Sequence, residues 1–177
     1  MTSAEATFHI SDTVVYAMQG IGRIKNIVTR TTGGRPQGFY QIGLEKNKGE
    51  VLVPVEDAAV LGLRHALSAL EVPQVLQRLQ QAASRPVLRG QSENNYLWCK
   101  QRLRQGQALG LAEVRRFLRD LEQIENFANL RLRQLRSYVY VELPTEIAQA
   151  LGCSLAAAEH LVDTALTSKH PVALPLP

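Results

Sequence analysis

Apolar residues recur at every second position in the first part of the chain and at every third or fourth position after it, so strands come first and helices follow. Val and Ile crowd residues 13–16 and 21–28, and the AMQG between them is too short and too glycine-bearing for a helix. That predicts two strands and a tight connection. RTTGGRPQG comes next, where Gly33, Gly34, Pro36 and Gly38 predict a hairpin loop. Tyr40, Ile42 and Leu44 alternate with Gln41 and Gly43, EKNKG supplies a turn, and Val51, Val53 and Val55 alternate with Leu52 and Pro54. The valines fall on one face, with Leu52 and Pro54 on the other. A proline within a strand belongs at a sheet edge, because it cannot donate to a ladder. Residues 8–66 therefore read as one small, strongly twisted β-barrel of SH3-like or Tudor-like type.

After Arg64 the period changes. VPQVLQRLQQAAS sets Val72, Val75 and Leu79 in one stripe, with Pro73 tolerable in a first helical turn. SRPVLRGQSEN carries Pro86 and Gly90 as breakers and reads as a loop between helices. NYLWCKQRLRQG puts Tyr96, Cys99, Lys100 and Leu103 on one side and reaches Gly106, a suitable C-terminal cap. Leu111, Val114, Phe117, Leu118 and Leu121 give the clearest amphipathic helix, and Leu132, Leu135, Val139 and Leu143 give another. Pro144 predicts a kink or an end to that helix, since it removes a backbone donor and crowds the preceding turn. TEIAQALG resumes the helical pattern up to Gly152, and Ser154 fits the N-cap of a closing Ala-rich helix. The expected organisation is α+β: the barrel at 8–66, an all-α bundle at 70–168 and a proline-rich tail at 169–177. There is no internal repeat.

Composition narrows the class without naming a function. The 177 residues are 45% hydrophobic and 20% charged, ordinary for a globular protein. An apolar run of membrane-spanning length is missing, and MTSAEATFHI does not have the layout of a signal peptide, so a cytoplasmic protein without membrane contact is expected. Cys99 and Cys153 are too few for a disulfide framework and have no histidine at ligand spacing, so they read as reduced, partly buried small residues. The net charge of +4 is mild, but basic side chains cluster from Lys100 to Arg136. Such a cluster either attracts phosphate or makes a solvated helix face. His9, His65, His160 and His170 are scattered, and Gly20 and Gly22 precede a strand and no Gly-Lys-Ser/Thr. No catalytic constellation emerges, and the chain is not read as an enzyme; no cofactor or metal is expected.

Phe8, Asp12, Val14, Val15, Tyr16, Gly20, Gly22, Tyr40, Val53, Pro54, Gly62, Leu63 and Arg64 stand in the order and near the spacing of the RNA-polymerase-interacting domain of the CarD/CdnL family. The stretch resembles that domain, which transcription-repair coupling factors also carry. The resemblance implies a transcription regulator that extends the sheet of the polymerase β subunit through a barrel edge strand. Arg30, Leu52 and Pro54 match the contacting positions on two adjoining strands; the other reading packs Leu52 into the seam between the domains.

Tyr96, Leu103, Gly106 and LAEVRRFL, from Leu111 to Leu118, are similar to the family's helical DNA-binding domain. The resemblance implies promoter DNA as a second partner, with Arg115, Arg116, Arg119, Lys100 and Arg102 as candidate contacts; these can meet phosphates but no side chain is evidently placed to read bases, so binding is expected to be weak and without sequence preference. The family places a Trp wedge and two Arg at the start of the first of these helices. Alignment back from Ala112, Glu113 and Val114 puts Ser92 at the wedge position and Asn94 and Asn95 at the Arg positions. Ser92 has no apolar surface to offset unstacking. Trp98 lies inside the helix, where it packs, stacks on Arg102, or serves as a wedge in a shifted register. The functional expectation is a monomeric, nucleoid-associated regulator of open promoter complexes with altered minor-groove contact; the alternative is an adaptor whose helices bind another protein.

Overall fold

A computed structural model describes residues 8–45, 49–85, 89–104, 108–124 and 129–168. The chain divides into two compact units, Met1–Ala66 and Leu67–Pro177. A five-stranded antiparallel sheet precedes five helices, so the fold is α+β. The strands are β1 (Thr13–Tyr16), β2 (Gly20–Thr32), β3 (Arg35–Leu44), β4 (Glu50–Pro54) and β5 (Leu63–His65), in the order β4-β3-β2-β1-β5.

The short β1–β2 connection folds back because Met18 and Gly20 both take positive φ, 66° and 92°. The hairpin loop expected over RTTGGRPQG is instead a two-residue turn. The β2–β3 ladder continues from Thr29↔Gly38 to Thr32↔Arg35, and only Gly33 (φ 58°) and Gly34 (φ 78°) leave it. Two successive left-handed residues match the right-handed twist of the flanking strands, so no longer loop is needed. Pro36 is tolerated opposite Thr31 because it lies past the end of β4, where among the described residues β3 has no second neighbour to receive a donor. Closer in, Gly22 permits a tight approach: a Cβ there would sit 2.8 Å from the Gly43 carbonyl oxygen.

Alternation sorts the sheet into an inner and an outer face. Val14, Ile24, Tyr40, Ile42 and Val53 are buried in one apolar cluster, with Val51 and Val55 packed against it. Phe8 meets the Tyr40 ring edge-on at 5.5 Å, and its backbone N–H donates to the Tyr40 hydroxyl at 3.3 Å.

The helices are α1 (Val72–Gln80), α2 (Ser92–Arg104), α3 (Ala108–Glu122), α4 (Leu130–Leu151) and α5 (Leu155–Thr167). Helix α3 touches α1, α2 and α4, and its Val114, Phe117, Leu118 and Leu121 are fully buried. Pro144 does not end α4, which runs unbroken through it. The proline forfeits one backbone donor but is itself buried between Leu143 and Ile147, so the apolar contacts on either side hold the helix together. The Thr145 hydroxyl adds a bond to the Val141 carbonyl at 2.7 Å. Gly152 closes the helix in the left-handed conformation, φ 63°, and the Ser154 hydroxyl accepts from the Ala157 N–H at 3.2 Å, as the pattern implies. The expected cap Gly106, the breaker Pro86, part of the EKNKG turn and the tail 169–177 lie outside the described residues.

Candidate functional site

Strand β4 is an outer strand: among the described residues it pairs with β3 alone. Among the described residues no strand pairs with its other edge. Arg30 and β4 are not on adjoining strands, since β3 lies between β2 and β4. The register nevertheless brings the predicted residues together. Arg30 stands opposite Gln37, Val28 opposite Phe39, Phe39 opposite Pro54, and Gln41 opposite Leu52. Directly opposed residues share a face, as do alternate residues along a strand, so Arg30, Leu52 and Pro54 all lie on the outer face.

Val28 and Phe39 complete that face and escape the sequence reading. Both are half-buried and apolar, like Leu52 and Pro54 beside them. A signal was present: adjacent Phe39 and Tyr40 put an aromatic ring on each side of the same strand, and only one side is the core. At the rim, Glu50 accepts from Lys25 and from Gln41, each at 2.7 Å. These bonds, with the Lys25 charge, hold its carboxyl below the ordinary value.

The helical unit uses many of its arginines internally. Glu113 is 7% exposed and lies 2.9 Å from Arg78 and 3.4 Å from Arg102, and it also accepts from the Ser84 hydroxyl. Burial pushes this carboxyl up, but the bonds from Ser84 and Arg78 and the charges of Arg78 and Arg102 outweigh it and hold it below the ordinary value. Helices α1, α2 and α3 are thereby tied at one carboxylate.

Arg115 is 6% exposed, which does not suit the expected phosphate contact. Its guanidinium lies 3.4 Å from the centre of the Tyr140 ring and 3.5 Å from Asp163. Burial pulls it below the ordinary arginine value, against the opposing influence of Tyr140, Asp163 and Glu122. Arg136 covers the same ring at 4.2 Å and pairs with Glu122, which also accepts from the Tyr140 hydroxyl at 2.5 Å. Burial and that bond push the Tyr140 phenol up to about 12. Arg116 is also committed: it pairs with Asp120 at 3.0 Å and donates to the Leu79 and Leu166 carbonyls. Lys100 and Arg119 remain half-exposed with no carboxylate partner among the described residues. The pattern missed this distribution because arginine spacing does not reveal which carboxylates fold back onto it.

Ser92 is the first residue of α2 and is half-buried; Asn94 is exposed and Asn95 fully buried. Trp98 packs against Phe117 with ring centres 4.7 Å apart, and the Arg102 guanidinium sits 5.8 Å from its ring. Both structural readings of Trp98 therefore hold at once. Cys99 is buried and its thiol is pushed up to about 12 by desolvation, so it is an unreactive packing residue. No group of His, Cys, Asp and Glu suited to a metal occurs among the described residues. Nor is any described helix long and apolar enough to cross a membrane.

Comparison with known families agrees with the sheet unit. Residues 8–66 match the family model of the CarD-like/TRCF RID domain. The match stops at the end of the sheet unit, before the first helix. No curated protein matches the chain.

Proposed function

We propose, from the CarD-like/TRCF RID domain at residues 8–66, that this chain is a transcription regulator that docks on the β subunit of bacterial RNA polymerase and acts on open promoter complexes. The open β4 edge beside the outer face of Arg30, Phe39, Leu52 and Pro54 carries the reading. Backbone pairing at the edge supplies affinity, and the side chains beside it supply register. In this reading the sheet unit and the helices form two domains, and the protein is a monomer in the cytoplasm, associated with the nucleoid. The helical unit touches promoter DNA weakly, because Arg102, Arg115 and Arg116 are engaged by Glu113, Asp163 and Asp120. No chemistry is catalysed.

The same internal pairing supports a second reading, in which the helices bind another protein and the chain is an adaptor. Co-purification with core polymerase and with its isolated β lobe tests the docking. Arg30→Glu and Leu52→Glu should each abolish capture while leaving the thermal unfolding curve in place. Normal capture by both folded variants would remove the proposed interface. Salt-dependent retention of promoter DNA separates regulator from adaptor.

A further inference from the structure

We infer that the tip of the β2–β3 ribbon, residues 31–35, is a contact for duplex DNA that lies in the major groove and holds backbone phosphates. It belongs to the sheet unit and needs neither the β4 edge nor the helices. Strand β4 follows β3 only as far as Phe39↔Pro54, and the Val55 N–H adds one bond to the Gly38 carbonyl at 3.0 Å. Beyond that point β2 and β3 pair with each other alone, from Arg30↔Gln37 to Thr32↔Arg35. Residues 29–36 are all exposed, so among the described residues no layer covers either face of the ribbon. An uncovered two-stranded ribbon is marginal in water and adds nothing to the core beneath it. Its length points to a use outside the fold.

A polar hairpin tip is ordinary. Charge, chemistry and shape set this one apart. Residues 21–44 carry Arg23, Lys25, Arg30 and Arg35 and no Asp or Glu. Lys25 is engaged by Glu50 at 2.7 Å, whereas Arg35 has no carboxylate partner among the described residues. The complement of this surface is therefore an anion. Residues 29–37 include no apolar side chain other than Pro36, so they lack the buried apolar centre on which a protein partner anchors. Guanidinium, threonine hydroxyls and backbone N–H groups are the donors that DNA phosphates accept from, and the tip offers each of them. A Cβ at Gly33 or Gly34 would meet nothing within 4 Å, so the space before the turn is open. Both glycines serve the positive φ of the turn, and both also leave the main chain bare to a phosphate. From Gly38 to Arg35 the ribbon advances about 10 Å. The major groove is roughly 12 Å wide and 8.5 Å deep and admits such a ribbon, whereas a minor groove roughly 6 Å wide does not. Contacts made to phosphates alone carry no sequence preference.

The test measures binding of the full chain to a short fluorescent duplex by anisotropy over a range of salt, without polymerase. Arg35→Ala should weaken binding and reduce the steepness of log affinity against log salt by about one, and Arg35→Lys should restore both. Arg35 is exposed, and its thermal unfolding curve should not move. The difference between wild type and Arg35→Ala isolates the ribbon from any contact made by the helices. That difference should persist when netropsin fills the minor groove and vanish on a duplex whose glucosylated hydroxymethylcytosines fill the major groove. The opposite pattern would overturn the groove assignment. Equal affinity and equal salt dependence for wild type and Arg35→Ala would overturn the contact while leaving a helical DNA contact standing, and a wild type that binds no duplex at low salt would overturn both. If Arg35→Ala keeps full DNA binding but weakens capture by core polymerase, the tip is a protein interface and the inference fails.

Discussion

Replacing Glu113 by Gln removes one charge from the middle of the helical unit while keeping the side chain's length. The carboxylate side chain is 9% exposed, that of Arg78 17% and that of Arg102 37%. Removing one partner from a fully buried pair costs about 3–5 kcal/mol, but an exposed pair is worth roughly 1 kcal/mol or less. Arg102 belongs near the second limit and Arg78 nearer the first, and the amide can still accept from Ser84. The expected loss is about 2 kcal/mol, or roughly 10 °C in Tm for a domain of this size. The loss should also depend on pH. The folded Glu113 carboxyl titrates below its ordinary value of 4.5, so its contribution is present in full above that value and disappears as pH falls through the lower, folded value. An amide at this position has no such dependence. The gap in stability between wild type and variant, measured by urea unfolding from neutral pH down to about pH 3, should close as the solution becomes acidic. A gap of the same size at every pH, or none at neutral pH, would refute the role assigned to this carboxylate.

Trp98→Ala should destabilise the helical unit by about 2–3 kcal/mol, less than for a fully buried indole, as read by thermal unfolding. In a parallel open-complex lifetime assay Ser92→Trp should lengthen the lifetime if Ser92 occupies the wedge position; an unchanged Tm for Trp98→Ala with lost promoter-complex stabilisation would mean that Trp98 inserts. Tyr140→Phe removes the hydroxyl bond to Glu122 and should cost about 1 kcal/mol, and spectrophotometric titration should lose one tyrosine that ionises near 12. That tyrosine's raised value contributes stability below the ordinary 10, lost as pH climbs through about 12. Gly22→Ala forces a methyl against the Gly43 carbonyl and should destabilise the sheet unit by about 1–3 kcal/mol, monitored by its unfolding midpoint.

Periodicity made the sheet's inner face readable, because Tyr40, Ile42 and Val53 obey an alternation that burial alone imposes. It also made the ends of the last helices readable: Gly152 and Ser154 act through backbone and side-chain geometry that is local to them. The hairpin at Gly33 was harder, since glycines that allow a long loop equally allow the tightest turn, and ladder bonds between Thr29 and Gly38 decide between them. Pro144 misled for a related reason: its local cost is fixed, but the burial of Leu143 and Ile147 on either side of it belongs to a core cluster shared with other helices. The candidate surfaces divide the same way. Leu52 and Pro54 could be placed on one side of a strand from spacing, whereas Arg30 joins them only through the register of the intervening β3. Arg115 was least legible, because its partner Tyr140 lies on another helix and its partner Asp163 on a third.

The internal pairing of arginines changes what the isoelectric point of about 9.3 means. Cations already neutralised by Glu113, Asp120, Glu122 and Asp163 release few counterions when a polyanion approaches, so the charge that counts for binding is smaller than the charge that titrates. Free protein would then spend little time on bulk chromosomal DNA. A module tethered through its sheet, however, meets nearby DNA at an effective concentration of order millimolar, and a contact that is weak in solution becomes well occupied there. On the proposed reading, low intrinsic affinity would thus confine DNA contact to places where polymerase already stands, making location, not sequence, the source of selectivity.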